Sequence, residues 1–97
     1  MRLFGLKTCD STRKALKTLR ERGEAPEFVD VAQGIAPADR EAILAALGDK
    51  AINRASATWR ALDEAERARP PEELLAAHPK LMKRPVIEEG GVIRQGL

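Results

Sequence analysis

Cysteine, aromatic side chains and long apolar runs are all scarce in this chain. Its 97 residues include one cysteine, no tyrosine, two phenylalanines and one tryptophan. A single cysteine excludes an intramolecular disulfide framework and fits a reducing compartment. Phe4, Phe28 and Trp59 are scattered, so the aromatic platforms of a single-strand nucleic-acid binder are missing. No apolar stretch approaches a membrane span, and Lys7 interrupts the opening before a secretory apolar region could develop. The lone His78 lacks the companions that a metal site needs. Net charge is only +2, with acids and bases interspersed except along Arg13, Lys14, Lys17, Arg20 and Arg22. That stretch reads as a solvated helix face, with a nucleic-acid patch as the lesser alternative. Residues 1–97 are expected to form one domain, cytoplasmic and monomeric, with no metal, membrane or nucleic-acid partner.

What is present is ordered punctuation. Residues 2–6 read as a short strand, and residues 11–22 as an amphipathic helix whose Thr12, Ala15, Leu16 and Leu19 share a face, ended by Gly23. Glu27 to Val31 reads as a second strand, and a helical connection between two such strands implies a right-handed parallel βαβ unit. Residues 37–80 form a helical insert. Pro37 opens one helix and Gly48 ends it, with Ile43, Leu44 and Leu47 as its apolar stripe. A short helical turn is predicted over 51–54, a helix over about 58–68, and another from Pro70-Pro71 to His78-Pro79. Trp59 is assigned to packing the insert against the sheet. Residues 84–89 and 92–95 then flank Gly90-Gly91, which signals a β-hairpin. A layered α/β domain usually covers such a sheet face with a further helix, so a continuation beyond Leu97 is expected.

Cys9 lies at the joint between the first strand and the first helix. Unpaired N–H groups and the helix dipole favour negative charge there, and thiolate is the nucleophilic form of cysteine. The position suits a nucleophile; a lone cysteine also serves as a small buried hydrophobe.

The element order describes a thioredoxin-like α/β fold with a mixed four-stranded sheet: βαβ, helical insert, β-hairpin. Gly5-Leu6-Lys7-Thr8-Cys9-Asp10-Ser11-Thr12-Arg13-Lys14-Ala15 resembles the opening of the arsenate-reductase-like (ArsC/Spx) family, especially its YffB-type branch. Asn53-Arg54 followed by Thr58-Trp59-Arg60-Ala61-Leu62 resembles the family's arginine-bearing segment. His78-Pro79-Lys80-Leu81-Met82-Lys83-Arg84-Pro85-Val86-Ile87 resembles its His-Pro…Arg-Pro segment. The three blocks keep the family's order and spacing over nearly the whole chain.

The resemblance implies that Cys9 is the nucleophile, that Arg54 and Arg84 bind an anion, and that Pro85 is the cis-proline facing the thiol. A guanidinium fork suits an oxyanion or a sulfur-linked adduct and stabilises a thiolate. Lys7 and Arg13 are nearby cations able to depress the thiol pKa or to hold a glutathione carboxylate, and equally able to be solvated charges. Ser11 and Thr12 can hydrogen-bond a thiolate or cap the helix. Three departures from the arsenate-reducing pattern stand out. Gly5 replaces a histidine, and Gly96 falls where a third arginine belongs, with Arg94, two residues away on the same strand face, the candidate to bind the anion in its place. Thr12 occupies the second position of a C-x-x-C motif. These features point away from arsenate specificity and toward a small glutathione-dependent thiol reductase. In that scheme a small oxyanion or thiol is the substrate, and glutathione or glutaredoxin supplies the resolving thiol. The alternatives are an Spx-like redox-responsive regulator that binds RNA polymerase, and a non-catalytic family member that binds glutathione or a protein.

Overall fold

Two short strands run side by side where the consecutive apolar pairs Leu3-Phe4 and Phe28-Val29 point to opposite faces of a sheet. A computed structural model of the chain describes residues 1–97. In it β1 (Arg2–Gly5), α1 (Asp10–Glu21) and β2 (Glu27–Asp30) form a βαβ unit with parallel strands, Leu3 opposite Phe28 and Gly5 opposite Asp30. β3 (Val86–Glu89) pairs antiparallel with the other edge of β1, and β4 (Val92–Gln95) pairs antiparallel with β3. The order β2-β1-β3-β4 is that of a thioredoxin-like sheet. Gly90 and Gly91 have φ of 56° and 81°, a pair of left-handed residues that a two-residue hairpin turn favours.

Alternation along the strands divides the core into two layers. On one face Leu3 and Ile87 pack with Ala15 and Leu19 of α1. On the other, Phe4 and Val86 pack with Val31, Ile43, Leu74, Leu75, Leu81 and Met82. The second set comes largely from the segment between β2 and β3. There lie α2 (Pro37–Leu47), α3 (Ala57–Arg60), α4 (Glu64–Arg67) and α5 (Pro71–Ala77), with 3₁₀ turns at Val31–Gln33, Gly48–Ala51 and Pro79–Leu81.

Local chemistry corrects three sequence expectations. The helix expected over 58–68 is two single turns, because two residues compete to start it. Ser56 Oγ caps the Trp59 N–H at 3.1 Å, and Asp63 Oδ1 caps the Glu66 N–H at 2.8 Å. The turn expected over 51–54 lies earlier, at Gly48–Ala51. Its successors pair with residues 81–83 instead: Asn53 N donates to Leu81 O and Lys83 N to Ala51 O, both at 2.8 Å. β3 begins at Val86 and not Arg84. Pro85 has no N–H to offer a ladder; its carbonyl accepts from Gly96 N at 2.8 Å.

Charged side chains tie the layers together. Arg2 donates to both Asp39 oxygens at 3.0 and 3.1 Å and to Glu88 at 3.2 Å, linking the sheet to α2. First Asp39 and then Glu88 hold its guanidinium firmly protonated. Arg40 links α2 to Glu72 of α5 at 3.0 Å and to Ile35 O. Trp59 is half-buried against the larger core layer. No helix is long and apolar enough to cross a membrane.

Candidate functional site: the Cys9 helix cap

β1 delivers the chain to the end of the sheet, and a tight turn places Cys9 at the first residue before α1. Cys9 N donates to Leu6 O at 3.1 Å, and Cys9 O accepts from Arg13 N at 3.0 Å. With φ −84° and ψ 122°, Cys9 has the extended backbone of an N-cap. As a neutral thiol it makes no cap hydrogen bond. As a thiolate it is the acceptor that the free N–H groups of the first turn require. Burial pushes the thiol pKa up, but the Thr12 N–H, the Thr12 hydroxyl, the Arg84 guanidinium and the Ser11 N–H outweigh it. Together they bring the pKa from 9.0 down to about 7. Near neutral pH the thiol and thiolate forms are therefore comparable in amount.

Thr12 fixes this cap. Its side chain is fully buried, and its Oγ1 accepts from Leu6 N at 3.3 Å. It also explains Gly5. A Cβ added at Gly5 would lie 2.6 Å from Thr12 Cγ2 and closer still to its hydroxyl. Thr12 occupies the space that any side chain at position 5 would claim, so Gly5 and Thr12 are one structural decision. Sequence reading registered each residue separately and missed their contact.

Arg84 comes to Cys9 from the segment that enters β3, with Pro85 next to it in the chain. The Arg84–Pro85 peptide is cis, and Pro85 is buried. Arg84 Nη1 donates to Lys80 O at 2.7 Å, while its buried Nε has no partner. Gln95 Nε2 donates to Arg84 O at 3.3 Å, joining the end of β4 to the same place. Between α1 and these residues lies an open groove of about 320 Å³, lined by Ser11, Lys14, Thr18, Arg84, Pro85 and Gln95 among others.

The remaining site candidates lie elsewhere. Arg54 directs both terminal nitrogens at Asp49, at 2.8 and 3.0 Å, and stacks over Trp59 at 5.1 Å. Asp49, five residues earlier, was the available signal for that pairing. Arg94 is exposed on β4 opposite Ile87, on the sheet face that carries α1. Lys7 and Arg13 gather on the other flank of α1 with Leu16, Arg20 and Phe28. Arg13 is paired with Asp10 at 2.7 Å, both well exposed. His78 Nε2 lies 2.8 Å from Glu66, whose carboxyl is held below its ordinary range by His78 and then Arg69. No group of three or more His, Cys, Asp and Glu side chains is arranged to hold a metal ion.

A thioredoxin-like sheet with one thiol at the N-cap of its first helix, beside an arginine that precedes a cis-proline, defines a single-cysteine thiol protein of that fold. The ArsC family model matches residues 4–97. The chain belongs to the ArsC family, in its YffB-type branch. A solved YffB protein is 39% identical, with 98% of this chain and 89% of that one aligned at a TM-score of 0.89. An arsenate reductase (ArsC) related protein from Brucella melitensis is 30% identical, covering 100% of this chain and 88% of its own, at a TM-score of 0.78. The arsenate reductase from Vibrio cholerae shares the fold at 20% identity and a TM-score of 0.81, over 98% and 87% of the two chains. No curated protein sequence matches the chain.

These findings correct the expectation of a glutathione-dependent thiol reductase. The 39%-identical structure is a YffB protein, not one named for reductase activity. The named arsenate reductase stands at an identity that shows fold alone. The site has one free thiol, no cluster of catalytic cysteines and no metal-holding group.

Proposed function

We propose that the chain is a non-catalytic ArsC-family member that captures a glutathione-type disulfide at Cys9 as a mixed disulfide. The observation that carries this reading is the Cys9 cap, with a thiol pKa of about 7 lowered in part by Arg84, whose side chain also lines the groove beside α1. The unpartnered Arg84 Nε supports it, since a guanidinium suits a carboxylate or a sulfur-linked ligand. Thr12 positions the thiolate, and Pro85 forms part of the groove wall. Arg54 and Arg94 have no part in this reading.

Capture proceeds by thiol–disulfide exchange. The Cys9 thiolate attacks one sulfur of oxidised glutathione, and a Cys9–glutathione disulfide forms as the original disulfide breaks. The other glutathione leaves as a thiolate, so electrons and atoms balance. The chain holds no second cysteine, so the adduct persists until an external thiol, from glutathione or glutaredoxin, exchanges it away. A reducing cytoplasm suits such a reversible acceptor.

Intact-mass measurement after incubation with oxidised glutathione tests the covalent step, and NMR titration with reduced glutathione tests the groove. One adduct per chain is expected, absent from Cys9→Ser, with shifts centred on residues 9–12, Arg84 and Gln95. Failure of both measurements overturns the reading. Reduction of arsenate or a disulfide substrate with glutathione and glutaredoxin should run at the background rate. Turnover lost in Cys9→Ser would overturn the non-catalytic assignment.

A further inference from the structure

The flank of α1 that faces away from the Arg84 groove carries a second surface. Arg13, Leu16, Lys17 and Arg20 recur at three- and four-residue spacing, so they lie on one side of the helix. Two open concavities of about 490 and 260 Å³ lie along this side and share Arg13, Leu16 and Arg20. Lys7 and Phe28 complete one end, and Glu21 is the only acid among the lining residues. Leu16 and Phe28 are half-buried and form an apolar floor, while the four cations are exposed.

What sets this flank apart is the clustering of its cations around an apolar floor, with most of their charge unpaired. Arg2, Arg40, Arg54 and Arg69 each have a carboxylate partner. On the α1 flank only Arg13 has one, in an exposed pair with Asp10. Exposed pairs of that kind contribute little and exchange readily. Lys7, Lys17 and Arg20 form no salt bridge, so their charge is available to an incoming partner.

We propose that this flank docks an acidic segment of a partner protein, with an apolar side chain of that segment seated over Leu16 and Phe28. The charge sets the sign of the partner, and the apolar floor sets its pattern of carboxylates around a hydrophobe. Nucleic acid fits less well, because Phe28 is the only aromatic residue present and it is half-buried, leaving no stacking platform. The surface shares no residue with the Arg84 groove and does not depend on thiol capture.

The probe is a random peptide library displayed on phage and panned against the folded chain, followed by anisotropy titration of the enriched peptides. Enrichment of Asp and Glu around Leu, Phe or Trp is expected, with affinity falling as salt rises. Lys17→Glu with Arg20→Glu should weaken binding about tenfold or more, while Cys9→Ser leaves it unchanged. A thermal melt establishes that the double variant is folded, and Lys17→Gln with Arg20→Gln provides a milder pair if it is not. Absence of acidic enrichment overturns the proposal, as does binding undiminished by charge reversal. A duplex oligonucleotide that binds more tightly than every peptide also overturns it and makes the surface a nucleic-acid site.

Discussion

At the residue scale, the chemistry of Cys9 depends on what surrounds its sulfur more than on its being the lone cysteine. Burial opposes the thiolate, and two N–H groups, one hydroxyl and one guanidinium overcome that opposition. Thr12 contributes both an N–H and the hydroxyl. Thr12→Val keeps the side-chain shape, removes the hydroxyl and leaves Leu6 N without its acceptor. The Cys9 pKa should then rise from about 7 toward 9.0, read from alkylation rate against pH. An unchanged profile would show that the hydroxyl does not act on the sulfur. The sign of the accompanying stability change follows from linkage. A lowered folded-state pKa stabilises the fold fully above 9.0, and that stabilisation is lost as pH falls through about 7. Denaturant midpoints of the native chain should therefore gain on those of Cys9→Ser between pH 7 and 9.

At the scale of elements, caps decide where helices begin and end when periodicity is weak. The segment from Ala57 to Arg67 has good helix formers at most positions, yet Asp63 turns its side chain to the Glu66 N–H and starts a new helix. Asp63→Ala should cost about 1 kcal/mol of stability, the usual worth of such a cap, measured by urea unfolding. No loss would mean that packing alone holds the break. The next link in this region is the contact of Glu66 with His78 and Arg69, which ties α4 to the segment leading into β3. β3 in turn starts one residue past the proline that walls the Arg84 groove.

At the scale of the whole molecule, Arg2 connects parts of the chain separated by 37 and 86 positions. Asp39 and Glu88 are each less than one-third exposed, so the pair interactions are shielded in part from solvent. Arg2→Met retains most of the stem while removing the fork that joins β1, β3 and α2 and lies over the Phe4 ring. It should lower stability by about 2 kcal/mol, in the range for charged hydrogen bonds left unmatched. Equilibrium unfolding measures this, and a loss below about 0.5 kcal/mol would place the cluster with ordinary surface pairs.

Much of this architecture was legible in the sequence because its signals are local. Gly90-Gly91 specified the hairpin, Pro37 and Gly48 bounded α2, and the strand–thiol–helix order located Cys9 at a cap. The broken helix after Trp59 was less legible, because cap and helix-forming preferences compete there and only packing and hydrogen bonds resolve them. The Arg54–Asp49 pair, the contact of Thr12 with Gly5 and the division of α1 into two grooved flanks required tertiary structure. Sequence by itself determined that one thiol stands at the start of one helix in a thioredoxin-like order of elements. Tertiary structure alone decided which charges are free and which groups face that thiol, because both depend on distances between residues far apart in the chain.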